Sequence, residues 1–261
     1  MPNVLLLKIS PPMQSWGVGD LYEKNRKTNR FPTKSAVIGM LAAALGWDRD
    51  HDLNSLDGLH MSVRIDSPGS LHYDFQIIKK PGDANGKLSY RWYLSDAVFL
   101  VALQSEDLDL LDRLSNALLH PAFNIFAGRK AFPLNPDLVQ GVVCGKTSMD
   151  LLSQLEWMGR GVEPGHLEVV RDAFPEDQDV SSIHDVPINF RLDHRDWASR
   201  SIVREWISLN ENEVNENEAN ENEVVDRAVI EEYPDWLDED EESSTGSSTN
   251  GLDFMAGEDV S

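Results

Sequence analysis

The sequence predicts an α+β protein, and three observations carry that reading. Short apolar runs lack a helical period, two helical stripes lie between them, and one turn-rich segment is flanked by strand-like alternation. The chain has 261 residues, 41% of them hydrophobic and 26% charged, an ordinary globular composition with enough apolar material for a large core.

Val4–Ile9 (VLLLKI) opens the chain as a short apolar run of the kind that forms a buried strand. Phe31-Pro32-Thr33 introduces a helix. Thr33 suits the N-cap, apolar residues recur at Val37, Ile38, Leu41, Ala44 and Leu45, and Gly46 suits a left-handed C′ position. Ser62–Asp66 and Leu71–Ile78 are strand-like and joined by Ser67-Pro68-Gly69. Turn chemistry at Pro81-Gly82 and Asn85-Gly86 predicts a protruding hairpin over about residues 75–93. Ala97–Leu103 reads as another buried strand. Leu108, Leu111, Leu114 and Leu118 then mark a second amphipathic helix that ends before Pro121.

The resulting order is strand, helix, two strands with a hairpin extension, strand, helix, strand. It matches the βαββαβ arrangement of a ferredoxin-like (RRM-like) domain, a four-stranded antiparallel sheet with two helices on one face. That domain is expected over residues 1–140, followed by a smaller, irregular, β-rich C-terminal part over 141–209. The fold serves many functions and selects none.

The formal net charge is −22, which would seem to exclude a nucleic-acid partner. The acidity is local, however. Asn210–Ser261 carries −17, while residues 1–209 hold 22 basic and 27 acidic side chains. The segment opens on a near-repeat, NENEVNENEANENE, and is too polar to offset its ordering entropy, so it reads as a disordered acidic tail that aids solubility. Val225, Ile230, Tyr233 and Trp236 within it are a candidate contact element. The single cysteine, Cys144, excludes a disulfide framework and a cysteine-cluster zinc site, and fits a reducing cytoplasm. Ala36 to Trp47, the longest apolar stretch, is too short to span a bilayer, and Met-Pro-Asn leads directly into Val4–Leu7 without a basic leader. A cytoplasmic protein with no membrane partner is expected.

Lys24 to Lys34 (KNRKTNRFPTK) is the most informative stretch. It holds five basic residues, Lys24, Arg26, Lys27, Arg30 and Lys34, and no acidic one, directly before a helix N-terminus. Free N–H groups and the positive end of the helix dipole converge there, with the Thr33 and Ser35 hydroxyls alongside, so a phosphate chain is the natural occupant. Gly128-Arg129-Lys130 is a second basic site. Lys79, Lys80, Lys87 and Arg91 decorate the hairpin with Tyr90, Trp92 and Tyr93, a mixture suited to single-stranded RNA. Arg191, Arg195, Arg200 and Arg204 punctuate the last structured segment.

Signatures of catalysis are scarce. Gly17-Val18-Gly19-Asp20-Leu21-Tyr22 begins a dinucleotide fingerprint and fails at the third glycine, and no Walker, Gly-x-Ser-x-Gly or His-Glu-x-x-His motif occurs. The seven histidines never recur at ligand spacing, so neither a metal nor another cofactor is expected. Tyr22, His51 and His72 could serve a metal-free ribonuclease as general acid or base, but no spacing selects them.

Pro12-Met13-Gln14-Ser15-Trp16-Gly17, Arg30-Phe31-Pro32-Thr33-Lys34-Ser35 and Gly39-Met40-Leu41-Ala42-Ala43-Ala44-Leu45-Gly46 closely resemble the opening of the CasD family. These are crRNA 5′-end subunits of type I-E CRISPR Cascade complexes, within the RAMP superfamily. The resemblance continues through Val63–Asp66, Tyr93–Ala97, Gly128–Lys130, Asp185–Phe190 and Arg200–Val203, covering about residues 2–207 in the family's order. The acidic tail departs from the family pattern, and the hairpin is short for the family's thumb.

The resemblance implies a RAMP body whose thumb engages the 5′ handle of CRISPR RNA, with contacts to the backbone subunit and the large subunit of Cascade. It further implies a subunit without nuclease activity. Type I-C relatives do cleave, with a tyrosine and an adjacent Lys-His pair, and this chain has no Lys-His dipeptide. The expected function is a non-catalytic RNA-binding subunit, and the alternative is a metal-independent endoribonuclease acting on CRISPR repeat RNA. The RNA-contacting set expected from motif and charge is Gln14, Trp16, Lys24, Arg26, Lys27, Arg30, Thr33, Lys34, Ser35, Lys79, Lys80, Arg91, Arg129, Lys130 and Arg200.

Overall fold

The computed structural model describes residues 1–17, 25–79, 81–82, 86–191, 193 and 195–208. Lys24, Lys80, Tyr22, Leu209 and the acidic segment 210–261, with its candidate contact element, lie outside the described residues. The described residues fall within one compact unit.

Its elements, in chain order, begin with β1 (Asn3–Ile9), β2 (Met13–Gln14), β3 (Trp16–Gly17), β4 (Asn25–Arg26), β5 (Thr28–Asn29) and α1 (Lys34–Ala44). After a single 3-10 turn at Asn54–Leu56 come β6 (His60–Ser67), β7 (Ser70–Ile78), β8 (Lys87–Ser95), β9 (Val98–Ser105) and α2 (Leu108–Leu119). The remainder is β10 (Val139–Cys144), α3 (Ser148–Gln154), β11 (His166–Asp172), β12 (Ser181–Asn189) and β13 (Asp196–Ser208).

The main sheet has seven strands in the order β10-β1-β9-β6-β11-β13-β12, every neighbouring pair antiparallel. Both of its faces are covered at the centre, which is why β1 and β9 are continuous apolar runs rather than alternating ones. Leu5, Leu7 and Ile9 pack with α1 and α2, while Val4 and Leu6 join Leu100, Ala102 and Val169 beneath Leu151 and Leu152 of α3. α1 is apolar on most sides because it is enclosed on most sides: Val37, Ile38, Met40, Leu41, Ala42 and Ala44 are buried, and Phe190 reaches Gly39. It ends at Leu45, and Gly46 takes φ +76°, the left-handed position its sequence suggests. α2 buries only Leu111, Leu114 and Leu118, and Asp107 caps it by accepting from the Leu110 N–H.

The expected boundary near residue 140 falls within β10. β10 pairs with β1, and β11 pairs with β6, so residues 141–208 contribute strands to the main sheet. The physical reason is the edge of β6: left open, it would expose a row of unpaired backbone groups, and β11 with Val169 and Val170 closes it on both faces.

A buried ion pair fastens the far side. Arg64 and Asp66 are both fully buried on β6 and joined through two N–H···O bonds of 2.7 and 2.8 Å. Arg64 also donates to the carbonyls of Leu152, Leu155 and Glu156, which holds the chain after α3 against the sheet.

Away from the main sheet, β7 and β8 form a long hairpin paired from Ser70↔Ser95 to Ile78↔Lys87. The other edge of β8 carries β2 at its base and β4, which runs parallel to it, further out. This small sheet positions the site.

Candidate nucleic-acid interface

Strand pairing puts register partners on one face, so the hairpin sorts its residues by chemistry. One face carries His72–Tyr93, Asp74–Arg91 and Gln76–Ser89. β4 adds Arg26, the register partner of Arg91, and β2 adds Met13 opposite Ser95. A groove of about 720 Å³ opens here, lined by Met13, His72, Asp74, Gln76, Arg91, Tyr93, Arg129 and Phe132.

Arg129 is fixed from below. Its Nη1 donates to the Tyr93 hydroxyl at 3.0 Å, its guanidinium lies 4.5 Å from the Tyr93 ring centre, and Phe132 meets that ring edge-on. The turn that delivers it requires glycine at 128. Gly128 has φ +81°, and a Cβ there would lie 1.6 Å from the Ser15 carbonyl oxygen. Burial lowers the Arg129 pKa, and repulsion from Arg91 and Arg26 adds to the effect against the opposing pull of Tyr93 and Asp74. Arg26 Nε is buried and, among the described residues, has no hydrogen-bond partner. Three guanidinium groups thus converge on one face, with a desolvated member and an unsatisfied donor. An anion satisfies all of these at once, and a phosphate oxygen is the matching acceptor.

Several nominated residues lie elsewhere. Gln14 and Trp16 are fully buried. Gln14 Nε2 donates to the Pro11 and Ala97 carbonyls while its Oε1 accepts from Trp16 Nε1, so the polar atoms of both side chains are used inside the body. Thr33 holds the N-cap position but is buried, its hydroxyl 3.4 Å from that of half-buried Ser35, and it makes no side-chain capping bond.

The α1 N-terminus, expected to receive a phosphate, already holds a carboxylate. Asp185 Oδ2 accepts the Lys34 N–H at 2.8 Å. Lys34 Nζ pairs with Asp172 at 2.9 Å, and Arg200 pairs with Asp172 at 2.5 Å and with Asp185 at 2.7 Å. Lys34 and Arg200 therefore tie α1 to β11, β12 and β13. Burial pushes the Asp172 carboxyl up, but Lys34 and Arg200 outweigh it and hold it below its ordinary value.

Lys27 and Arg30 are half-buried on the segment between β4 and α1. Lys79 is exposed at the hairpin end, and Lys130 is exposed beside Arg129. Of the ribonuclease candidates, His72 is on the groove face with Nε2 2.7 Å from the Ser95 hydroxyl, whereas His51 stacks on Trp47 beyond α1. The structure does not bring these two together.

Sequence reasoning found the basic residues but missed their sorting. Nothing in the local pattern links Arg26 to Arg91 or Asp172 to Lys34, because each pair meets through tertiary pairing. The signal available was Gly128 itself, a glycine directly before Arg129, which marks a close backbone approach.

Comparison with known proteins agrees with this architecture. A family described as CRISPR-associated protein (Cas_Cas5) matches residues 4–205, and the chain belongs to that family. It is 32% identical over 181 residues to the CRISPR system Cascade subunit CasD of Escherichia coli (strain K12), an alignment covering 61% of this chain and 80% of that protein. Among solved structures it is similar to a chain of a CRISPR RNA-guided surveillance complex, with TM-score 0.66 and 27% identity over 79% of this chain and 90% of that one. A structure titled as a Cas protein matches with TM-score 0.60 and 31% identity over 78% of this chain and 95% of that one. Among the described residues, no helix is long and apolar enough to cross a membrane.

Proposed function

We propose that this chain is a non-catalytic RNA-binding subunit of a type I-E Cascade complex, holding the 5′ handle of CRISPR RNA while guide pairing reads the target. The observation that carries the proposal is the convergence of Arg26, Arg91 and Arg129 on the groove face of the hairpin. Phosphate contacts of this kind supply affinity and register without reading sequence. Similarity to the Cascade subunit CasD supports the assembly reading, in which the backbone and large subunits are partners in the cytoplasm.

The frame β1-α1-β6-β9-α2-β10, with its strands ordered β10-β1-β9-β6, supports a ferredoxin-like reading of the body, with β7–β8 as its thumb. Outside the groove, exposed Lys79 at the hairpin end and Lys130 beside Arg129 add basic surface, and Lys27 and Arg30 add it along the segment leading to α1.

Purified protein is incubated with CRISPR repeat RNA in EDTA, and the RNA is recovered. Bound, intact RNA is the expected result. Cleavage without metal would replace this reading with the endoribonuclease alternative, and absence of binding would leave neither.

A further inference from the structure

The groove face that gathers Arg26, Arg91 and Arg129 also holds a carboxylate. Asp74 lines the groove and is the register partner of Arg91 across the hairpin. Among the described residues, however, Asp74 forms no ion pair with Arg91, Arg26 or Arg129. Arg91 Nε lies 3.4 Å from the Ser89 hydroxyl, and Arg129 Nη1 donates to the Tyr93 hydroxyl. Asp74 Oδ2 instead accepts from Gln76 Nε2 at 2.7 Å, and Gln76 lines the same groove. One such bond fills one of roughly four acceptor sites on a carboxylate, so both Asp74 oxygens keep acceptor capacity.

Phosphate binding does not account for this carboxylate. A fixed negative charge among the arginines repels the chain they attract and weakens the site. A group that only accepts is satisfied by donors, and single-stranded RNA offers donors on the edges of unstacked bases and at the ribose 2′-hydroxyl. The bases differ in what they show a carboxylate. Guanine presents N1–H and N2–H side by side, and two carboxylate oxygens accept that pair together. Cytosine and adenine place a ring acceptor beside their one amino group, and uracil flanks N3–H with two carbonyls. Each of these three sets a lone pair against a carboxylate oxygen.

We propose that Asp74, positioned by Gln76, reads the Watson–Crick edge of one guanine in the bound RNA. The groove then takes phosphates by its arginines and a base by its carboxylate. Asp74 and Gln76 are both half-buried, so a wrong base leaves polar groups unpaired where water does not fully replace the lost bonds. The inference rests on the RNA-binding reading above and adds a base preference to it, and the two fail in different arms of one experiment.

The full chain is titrated with three short labelled oligoribonucleotides: oligouridylate, the same oligomer with one central guanine, and the same with inosine, which lacks the N2 amino group, in that place. The expected result is binding of the guanine oligomer at least tenfold tighter than of oligouridylate, with inosine losing most of the gain. Asp74→Asn, its folding verified by thermal melting, should abolish the guanine preference and bind oligouridylate about twofold more tightly, because a repelling charge is gone. Equal native affinity for the guanine and uridine oligomers would overturn the inference and leave the proposed function standing. So would inosine bound as tightly as guanine, or a guanine preference that survives Asp74→Asn, since the carboxylate would not be the reader. An Asp74→Asn variant that loses affinity for all three oligomers alike would also overturn it, showing that Asp74 orients the arginines or accepts a 2′-hydroxyl. A native chain that binds none of the three defeats the proposed function, and this inference with it.

Discussion

Arg26 and Arg91 are register partners on adjacent parallel strands, so two guanidinium groups share one face of the small sheet. Like charges directly opposite each other destabilise a sheet. The third, Arg129, is held over Tyr93 on that face and is desolvated by its surroundings. The free protein carries this arrangement at a cost, which a phosphate chain on the proposed site would offset by charge-assisted hydrogen bonding.

Replacing any one of Arg26, Arg91 or Arg129 by Ala should weaken RNA binding across sequences. The salt dependence of log K should fall by about 0.7 for each phosphate of a single strand that is no longer neutralised. Titrations of labelled handle RNA at several salt concentrations read both quantities. An unchanged slope in the triple variant would remove the groove from the RNA path. Arg129→Lys should restore charge without restoring affinity, because a lysine cannot both bond Tyr93 and present a fork to phosphate.

Gly128→Ala should destabilise the protein by more than about 2 kcal/mol, since left-handed strain alone costs about 1–2 kcal/mol and the added Cβ also meets backbone at Ser15. Urea unfolding measures it. A variant as stable as the native chain would contradict the close approach of the 127–132 segment to β2 and β3.

Asp66→Ala leaves the Arg64 charge buried without its carboxylate, and a loss of about 3–5 kcal/mol is expected. Arg64→Met/Asp66→Leu should recover most of that loss, because an apolar pair of similar volume no longer carries an unmatched ion. The same unfolding assay compares the two. Equal destabilisation by both would show that the Arg64 contacts to the 152–156 carbonyls, rather than ionic pairing, dominate.

The carboxyls of Asp172 and Asp177 titrate below their unfolded value of 3.8. Hydrogen bonds from Arg171 and from the Phe174 N–H hold Asp177 at about 2. For depressed carboxyls the stabilisation is complete above about pH 4 and is lost as pH falls through the folded values. Melting temperature should therefore decline from about pH 4 toward pH 2. Asp177→Asn should flatten part of that decline, and Asp172→Asn should flatten it further while lowering stability near neutrality, where Lys34 and Arg200 lose a charged partner. Identical pH profiles would contradict both assignments.

Local pattern was enough for β1, α1 with its glycine terminus, α2 and the hairpin, because each is specified by its own periodicity or turn residues. It failed where an answer depends on a distant residue. Lys34 and Arg200 read as phosphate ligands because the carboxylates that use them, Asp172 and Asp185, lie far along the chain from Lys34. Gln14 and Trp16 stand among motif residues, yet their polar atoms satisfy one another and the backbone inside the core. The expected boundary near 140 followed a real change to irregular sequence, but β-pairing does not respect it, since an edge strand accepts whichever partner the chain returns. Of the nominated basic residues, Arg26, Arg91 and Arg129 come together, the first two through strand register and the third through the Gly128 turn.

The most direct measurement is ultraviolet crosslinking of the purified ribonucleoprotein, with the adducts mapped onto peptides by mass spectrometry. The account predicts RNA adducts on the segments 25–30, 87–95 and 127–132. Adducts confined to the α1 N-terminus and to β12–β13, with none on those three segments, would contradict it.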